Sequence, residues 1–140
     1  MPIERARMPD NADIRHIGPP VQRAGVVQPI SPAVVADERL VFVAGQVPMR
    51  NGQPAGEDIV AQTHYTIDLI EDILRRAGCT LADVVKTTVW LVDGQDYPGF
   101  NAAYAERFPA ATAPARSTVI AGLIAPVRVE IEAVALRPRG

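Results

Sequence analysis

Cysteine is almost absent from this chain. Cys79 stands alone among 140 residues, which excludes an internal disulfide and any cysteine-built zinc cluster. Histidine is nearly as scarce. His16 and His64 have neither a second histidine nor a carboxylate at ligand spacing, so both read as surface or helix-face residues with no metal to hold. An excess of positive charge is missing too: the net charge is −2, without the basic patch or arm of a nucleic-acid binder, so such a partner is disfavoured. There is no long apolar run near the start, where Glu4, Arg5, Arg7, Asp10 and Asp13 fit neither a signal peptide nor a membrane span. A cytoplasmic protein that does not contact membranes is expected. Aromatic residues are only 5%, against 48% hydrophobic and 21% charged, a balance suited to one globular domain without internal repeats.

Within that domain, residues 1–30 differ in character from the rest. Pro9, Pro19, Pro20 and Pro29, with Pro32 just beyond, break every candidate helix there, so an irregular N-terminal arm over 1–30 is expected ahead of a domain over 31–140. Residues 33–36 and 40–47 are apolar runs flanking Asp37, Glu38 and Arg39, the pattern of a β-hairpin. Asn51 and Gly52 mark another turn. Residues 57–77 predict the clearest helix, because Ile59, Ile67, Ile70, Ile73, Leu74 and Ala77 recur on one face. Gly78 is placed to end it. A strand over 83–92, a second helix over 97–108 stopped by Pro109, and strands over 116–121 and 127–136 complete the order.

Two helices on a mixed, mostly antiparallel sheet make a two-layer α/β sandwich the simplest architecture. In the last strand Val127, Val129, Ile131, Ala133 and Ala135 alternate toward the helices. Arg128, Glu130 and Glu132 face the other way, together with Val134 and Leu136, a mixed face suited to contact between subunits.

The chemistry concentrates near the end of the chain. Arg116, in the run Ala113, Pro114, Ala115, Arg116, Ser117, Thr118, can hold a carboxylate through paired hydrogen bonds, and Glu130 can take a proton from water. Arg116 and Thr118 share one strand face, as do Glu130 and Glu132, so a common cleft is geometrically allowed. The competing reading is that Arg116 and Glu130 form a structural ion pair at a subunit contact, with no substrate involved. Cys79 reads as a small buried residue, Trp90 as packing, and Ser117 as pointing away from the cleft without a nucleophile turn around it.

Five blocks in register carry a family resemblance: Gly45 to Pro48 after an apolar strand, Lys86 to Trp90, Asn101 through Tyr104 to Phe108, Pro114 to Ser117, and Val129 to Ala133. Over roughly residues 31–137 the chain resembles the reactive intermediate deaminase (RidA, YjgF-like) family. The resemblance implies a chorismate-mutase-like fold of the bacillary type and a homotrimer whose sheets form a central barrel. It implies cofactor-free hydrolytic deamination, in clefts between subunits, of a carboxylate-bearing enamine or imine to a 2-oxo acid and ammonia. By position it assigns Arg116 to the substrate carboxylate, Glu130 to the water, Gly45 to a backbone contact and Asn101 to the cleft lining. Three positions depart from the pattern: Ser31 where a tyrosine is usual, Ala44 where a serine precedes the glycine, and Thr118 in place of a cysteine. Thr118 keeps a hydroxyl that can bond a water, and Ser31 is smaller than the residue it replaces. These changes point to an atypical member with a pathway-specific substrate. The alternative is a trimeric module that binds a small carboxylate ligand in the same clefts without catalysis. Ribonuclease action, ascribed to some relatives, finds little support in the charge.

Overall fold

The long helix shows most plainly how this sequence folds. In the computed structural model, which describes residues 11–140, helix α1 spans Ile59–Arg76. The Asp58 carboxylate caps its start by accepting from the Ala61 N–H at 2.8 Å. Its end closes in a Schellman turn: Gly78 N–H donates to Arg75 O and Cys79 N–H to Leu74 O, with Gly78 at φ +78°. A residue with a Cβ would be strained in that conformation. Every residue of the predicted apolar face, from Ile59 to Ala77, is buried.

Ahead of α1 lie β1 (Ile14–Ile17), β2 (Gln22–Arg23), β3 (Val26–Val27), β4 (Ala33–Ala36), β5 (Leu40–Gln46), β6 (Met49–Arg50) and β7 (Gln53–Pro54). After it come β8 (Val84–Leu91), helix α2 (Tyr97–Arg107), β9 (Ala115–Ile120) and β10 (Val129–Leu136). Six strands form one sheet in the order β1-β4-β5-β10-β8-β9. All its pairs are antiparallel except β8 with β9. The expected mixed sheet under two helices is therefore present. The predicted hairpin is β4–β5, and Asn51–Gly52, both at positive φ, turn β6 into β7.

The arm expected to be irregular over residues 1–30 differs from that reading over its described part, residues 11–30. Ile14–Ile17 pairs antiparallel with β4 and extends the sheet by a strand, and β2–β3 is a small hairpin. Prolines argue against helix, but Pro9 and Pro19 flank β1 without interrupting it, so they leave a strand free to form. Residues 1–10 of the expected arm lie outside the described residues.

The helices cover one face of the sheet. Ile67, Ile70 and Leu74 of α1 and Phe100 and Tyr104 of α2 pack on Val41, Val43, Val89, Leu91, Val129 and Ile131. The other face is uncovered in the single chain. On it Leu40, Phe42, Leu136 and Val119 are exposed, with Trp90 and Val134 half-buried between them. Among the described residues no helix is long and apolar enough to cross a membrane.

The core predicts its own sensitivity. Ile67→Ala removes a fully buried side chain and is expected to cost about 2–5 kcal/mol in urea unfolding. Val26→Ala, on the exposed hairpin, is expected to change stability by less than about 0.5 kcal/mol.

Candidate functional site

Glu130 sits near the start of β10, on the uncovered face, opposite Trp90 of β8. Beside it β5 carries a bulge: Ala133 pairs with Val43 and Ile131 with Gln46, leaving Ala44 and Gly45 against Glu132 alone. The bulge brings Gly45 under the Glu130 carboxyl. A Cβ at position 45 would fall onto Glu130 Oε2, so the missing side chain is what lets the carboxyl lie against the strand.

Both residues open into a cavity of about 650 Å³ whose wall includes Val21, Arg23, Ile30, Leu69, Ile124 and Pro126. Burial pushes the Glu130 carboxyl above the usual carboxylate range; Arg23 opposes the shift and Glu132 adds to it. A base of raised pKa is better matched to proton transfer near neutral pH than an ordinary carboxylate.

Arg116 lies elsewhere. Its partner across β8 is Thr87, a buried residue whose hydroxyl meets Tyr104 Oη at 2.7 Å under α2. The guanidinium carbon is 4.7 Å from the Tyr104 ring centre, 5.3 Å from that of Phe100 and 5.8 Å from that of Tyr97. Arg116 Nη2 donates to Tyr97 Oη at 2.9 Å. Among the described residues it makes no ion pair with a carboxylate. Burial raises the Tyr104 phenol pKa, while the Thr87 hydrogen bond and the Arg116 charge draw it back.

Arg116 and Glu130 therefore occupy opposite faces of the sheet. Residues 87 and 90 of β8 are three apart, so their neighbours Arg116 and Glu130 point to opposite sides, one strand apart on either side of β8. The expected alternation within each strand holds, but the register separates the two pairs. A cleft shared by Arg116 and Glu130 within one chain is excluded, and so is an ion pair between them within one chain.

The other predicted residues scatter. Thr118, beside Val89, shares the helix side with Arg116 and is half-buried. Asn101 is exposed on α2. Ser31 does not line the Glu130 cavity: its hydroxyl is 2.9 Å from His16 Nδ1, and the preceding residue, Ile30, takes the place on the wall. Arg128, expected beside the two glutamates, precedes β10 and turns back to Glu57 O and Asp96. Ser117 faces away from Arg116, its hydroxyl accepting from Lys86 Nζ, and Cys79 is buried. His64 pairs with Glu106 on the helix surface. Among the described residues no group of His, Cys, Asp and Glu could hold a metal ion.

Four participants were not anticipated in these roles, the three rings around Arg116 and Arg23 at the cavity. Tyr97, Phe100 and Tyr104 follow the i, i+3, i+7 spacing of one helix face, which could have marked a surface for Arg116. Arg23 carried the weaker signal of a turn, Ala24–Gly25, between apolar residues.

Comparison with known proteins bears on the family and the fold. Residues 21–137 match the family model described as endoribonuclease L-PSP. The chain is 37% identical over 116 residues to the 3-aminoacrylate deaminase RutC of Acinetobacter baylyi, covering 79% of this chain and 91% of that protein. It is 34% identical over 127 residues to the human 2-iminobutanoate/2-iminopropanoate deaminase, covering 89% of this chain and 91% of that one. A solved YjgF-family structure from Neisseria meningitidis superposes with a TM-score of 0.77 at 31% identity, over 91% of this chain and 98% of the other. The two-layer fold thus defines a YjgF-type protein. This chain belongs to the endoribonuclease L-PSP/YjgF family, the one its five motif blocks resemble.

The half-buried carboxyl makes a stability prediction. A carboxyl whose folded pKa is raised favours the folded state at low pH, and that advantage is lost as pH rises from the ordinary carboxylate value through the raised one. Glu130→Gln is therefore expected to raise the melting temperature at neutral pH, with the gain shrinking toward zero as the pH is lowered through that window. Thermal melts across the acid range check it; a gain independent of pH would contradict the burial argument.

Proposed function

We propose that the protein deaminates a carboxylate-bearing imine by hydrolysis, in a site completed by two copies of the chain. The carrying observation is Arg116, a half-buried cation set against three aromatic rings and a phenol hydroxyl, with no carboxylate paired to it among the described residues. Such a guanidinium is poised for a substrate carboxylate. The opposite-face geometry leaves a neighbouring copy as the source of the Glu130 that works with it. Relatives named as imine and aminoacrylate deaminases support the reading.

The steps follow from the groups. Arg116 of one copy fixes the carboxylate and so orients the adjacent C=N carbon. Glu130 of the next copy takes a proton from water, the hydroxide oxygen bonds to that carbon, and the nitrogen gains the proton. The tetrahedral adduct collapses to a 2-oxo acid and ammonia, so one water is consumed for each ammonia released. An enamine enters the same route after tautomerising to the imine. Neither hydride nor electron transfer is needed, so the reaction asks for no organic cofactor.

A homotrimer with the open faces turned inward around a barrel would also cover Leu40, Phe42, Val119 and Leu136. Thr118, on the Arg116 side, is placed to orient the water or the bound carboxylate through its hydroxyl. A module that only binds carboxylates gives no use for a carboxyl of raised pKa in the cavity wall.

Ammonia release from 2-iminopropanoate, formed in the assay from 2-aminoacrylate, tests the reading. Wild type is expected to accelerate release over the spontaneous rate. Glu130→Gln is expected to lower kcat by roughly 10²–10⁴-fold, the usual contribution of a positioned base. Arg116→Ala is expected to raise KM by roughly tenfold or more, the worth of a charge-assisted hydrogen bond. An inactive wild type, or a fully active Glu130→Gln, would contradict the proposal.

A further inference from the structure

The Glu130 cavity is larger than a three-carbon imine needs. Its volume of about 650 Å³ falls in the range of sites that enclose drug-sized ligands. Much of its wall is apolar, with Val21, Ile30, Met49, Leu69 and Ile124 able to contact methylene groups. Among the described residues of the wall only Glu130 and Arg23 carry charge. Glu130 repels anions, so an anionic group entering this space has one charged partner, Arg23.

The backbone of Arg23 is held in place by local structure, and its exposed side chain is left at the cavity wall. It pairs with Val26 across the β2–β3 hairpin, whose turn residues Ala24 and Gly25 adopt φ +50° and +76°. Two backbone bonds tie the hairpin base down, Val21 N–H to Ile30 O at 2.9 Å and Gln28 N–H to Val21 O at 2.8 Å. Arg23 makes no ion pair with a described residue, Glu130 included, although both face the same cavity. The two line one cavity without being paired to each other.

We infer that Arg23 forms a second anion subsite and that the preferred substrate is the imine of a dicarboxylic amino acid, its distal carboxylate on Arg23 and its methylenes along the apolar wall. The inference rests on the proposed function, which assigns the first carboxylate to Arg116 of a neighbouring copy. The reaction itself is unchanged: 2-iminoglutarate, for example, takes up one water and yields 2-oxoglutarate and ammonia.

The test compares 2-iminobutanoate with 2-iminoglutarate, each generated in the assay by an amino-acid oxidase, on wild type and Arg23→Gln. Wild type is expected to show the higher kcat/KM on the dicarboxylate. Arg23→Gln is expected to lose roughly ten- to a hundredfold more on that substrate than on the monocarboxylate, mostly in KM, because any effect of the lost charge on the Glu130 carboxyl is common to both. Equal losses on both substrates, or no wild-type preference, would overturn the subsite. Calorimetric binding of the products separates this from the chemistry. If neither imine is turned over but 2-oxoglutarate binds more tightly than 2-oxobutanoate, and only in the presence of Arg23, the deaminase reading fails and the subsite stands. If the two bind alike, the subsite fails.

Discussion

The pleat of β8 is the constraint on which the site depends. Thr87 and Trp90 point to opposite sides of that strand, so the Arg116 guanidinium beside the first and the Glu130 carboxyl beside the second are held on opposite faces of the sheet. A one-residue slip in the pairing of either neighbour would bring them onto one face and undo the separation. Burial fixes the register of β10 on β8: Val129, Ile131 and Ala133 of the one, and Thr87, Val89 and Leu91 of the other, are all in the core. The core thus dictates where the polar chemistry can stand. A site that uses both groups has to be finished by a second copy.

Each half of the proposed site has its own surroundings within the chain, set by different physics. Around Arg116 the work is done by aromatic rings, which hold a cation without neutralising it. Around Glu130 the absence of a side chain at Gly45 lets the carboxyl lie against the strand, and burial there gives a carboxyl that ionises less readily than usual. Neither arrangement yields much stability to a lone chain, and a carboxyl of raised pKa lowers stability at neutral pH. Both arrangements are intelligible as preparation for a ligand.

The fold was legible in the sequence to the extent that periodicity governs it. The apolar spacing of α1, the cap residue at its start and Gly78 at its end act locally, and the helix forms where they indicate. β1 was hidden because proline content speaks against helix and says little about a short edge strand between prolines. The site was legible by residue and less so by place. Alternation within a strand can be read from the chain, whereas the offset between strands is set by packing partners far away in sequence. That is why Arg116 and Glu130 were marked but their separation was not. It is also why Ile30, and not Ser31, turned out to line the cavity: one step along an extended chain exchanges its faces.

The most direct measurement of the two-chain site is complementation between inactive subunits. Arg116→Ala and Glu130→Gln chains, each deficient alone, would be unfolded, mixed in equal amounts and refolded together. An intact Arg116 then meets an intact Glu130 across roughly a quarter of randomly formed interfaces, so about a quarter of wild-type ammonia release is expected to return. A mixture no more active than its two parents would contradict a site shared between copies.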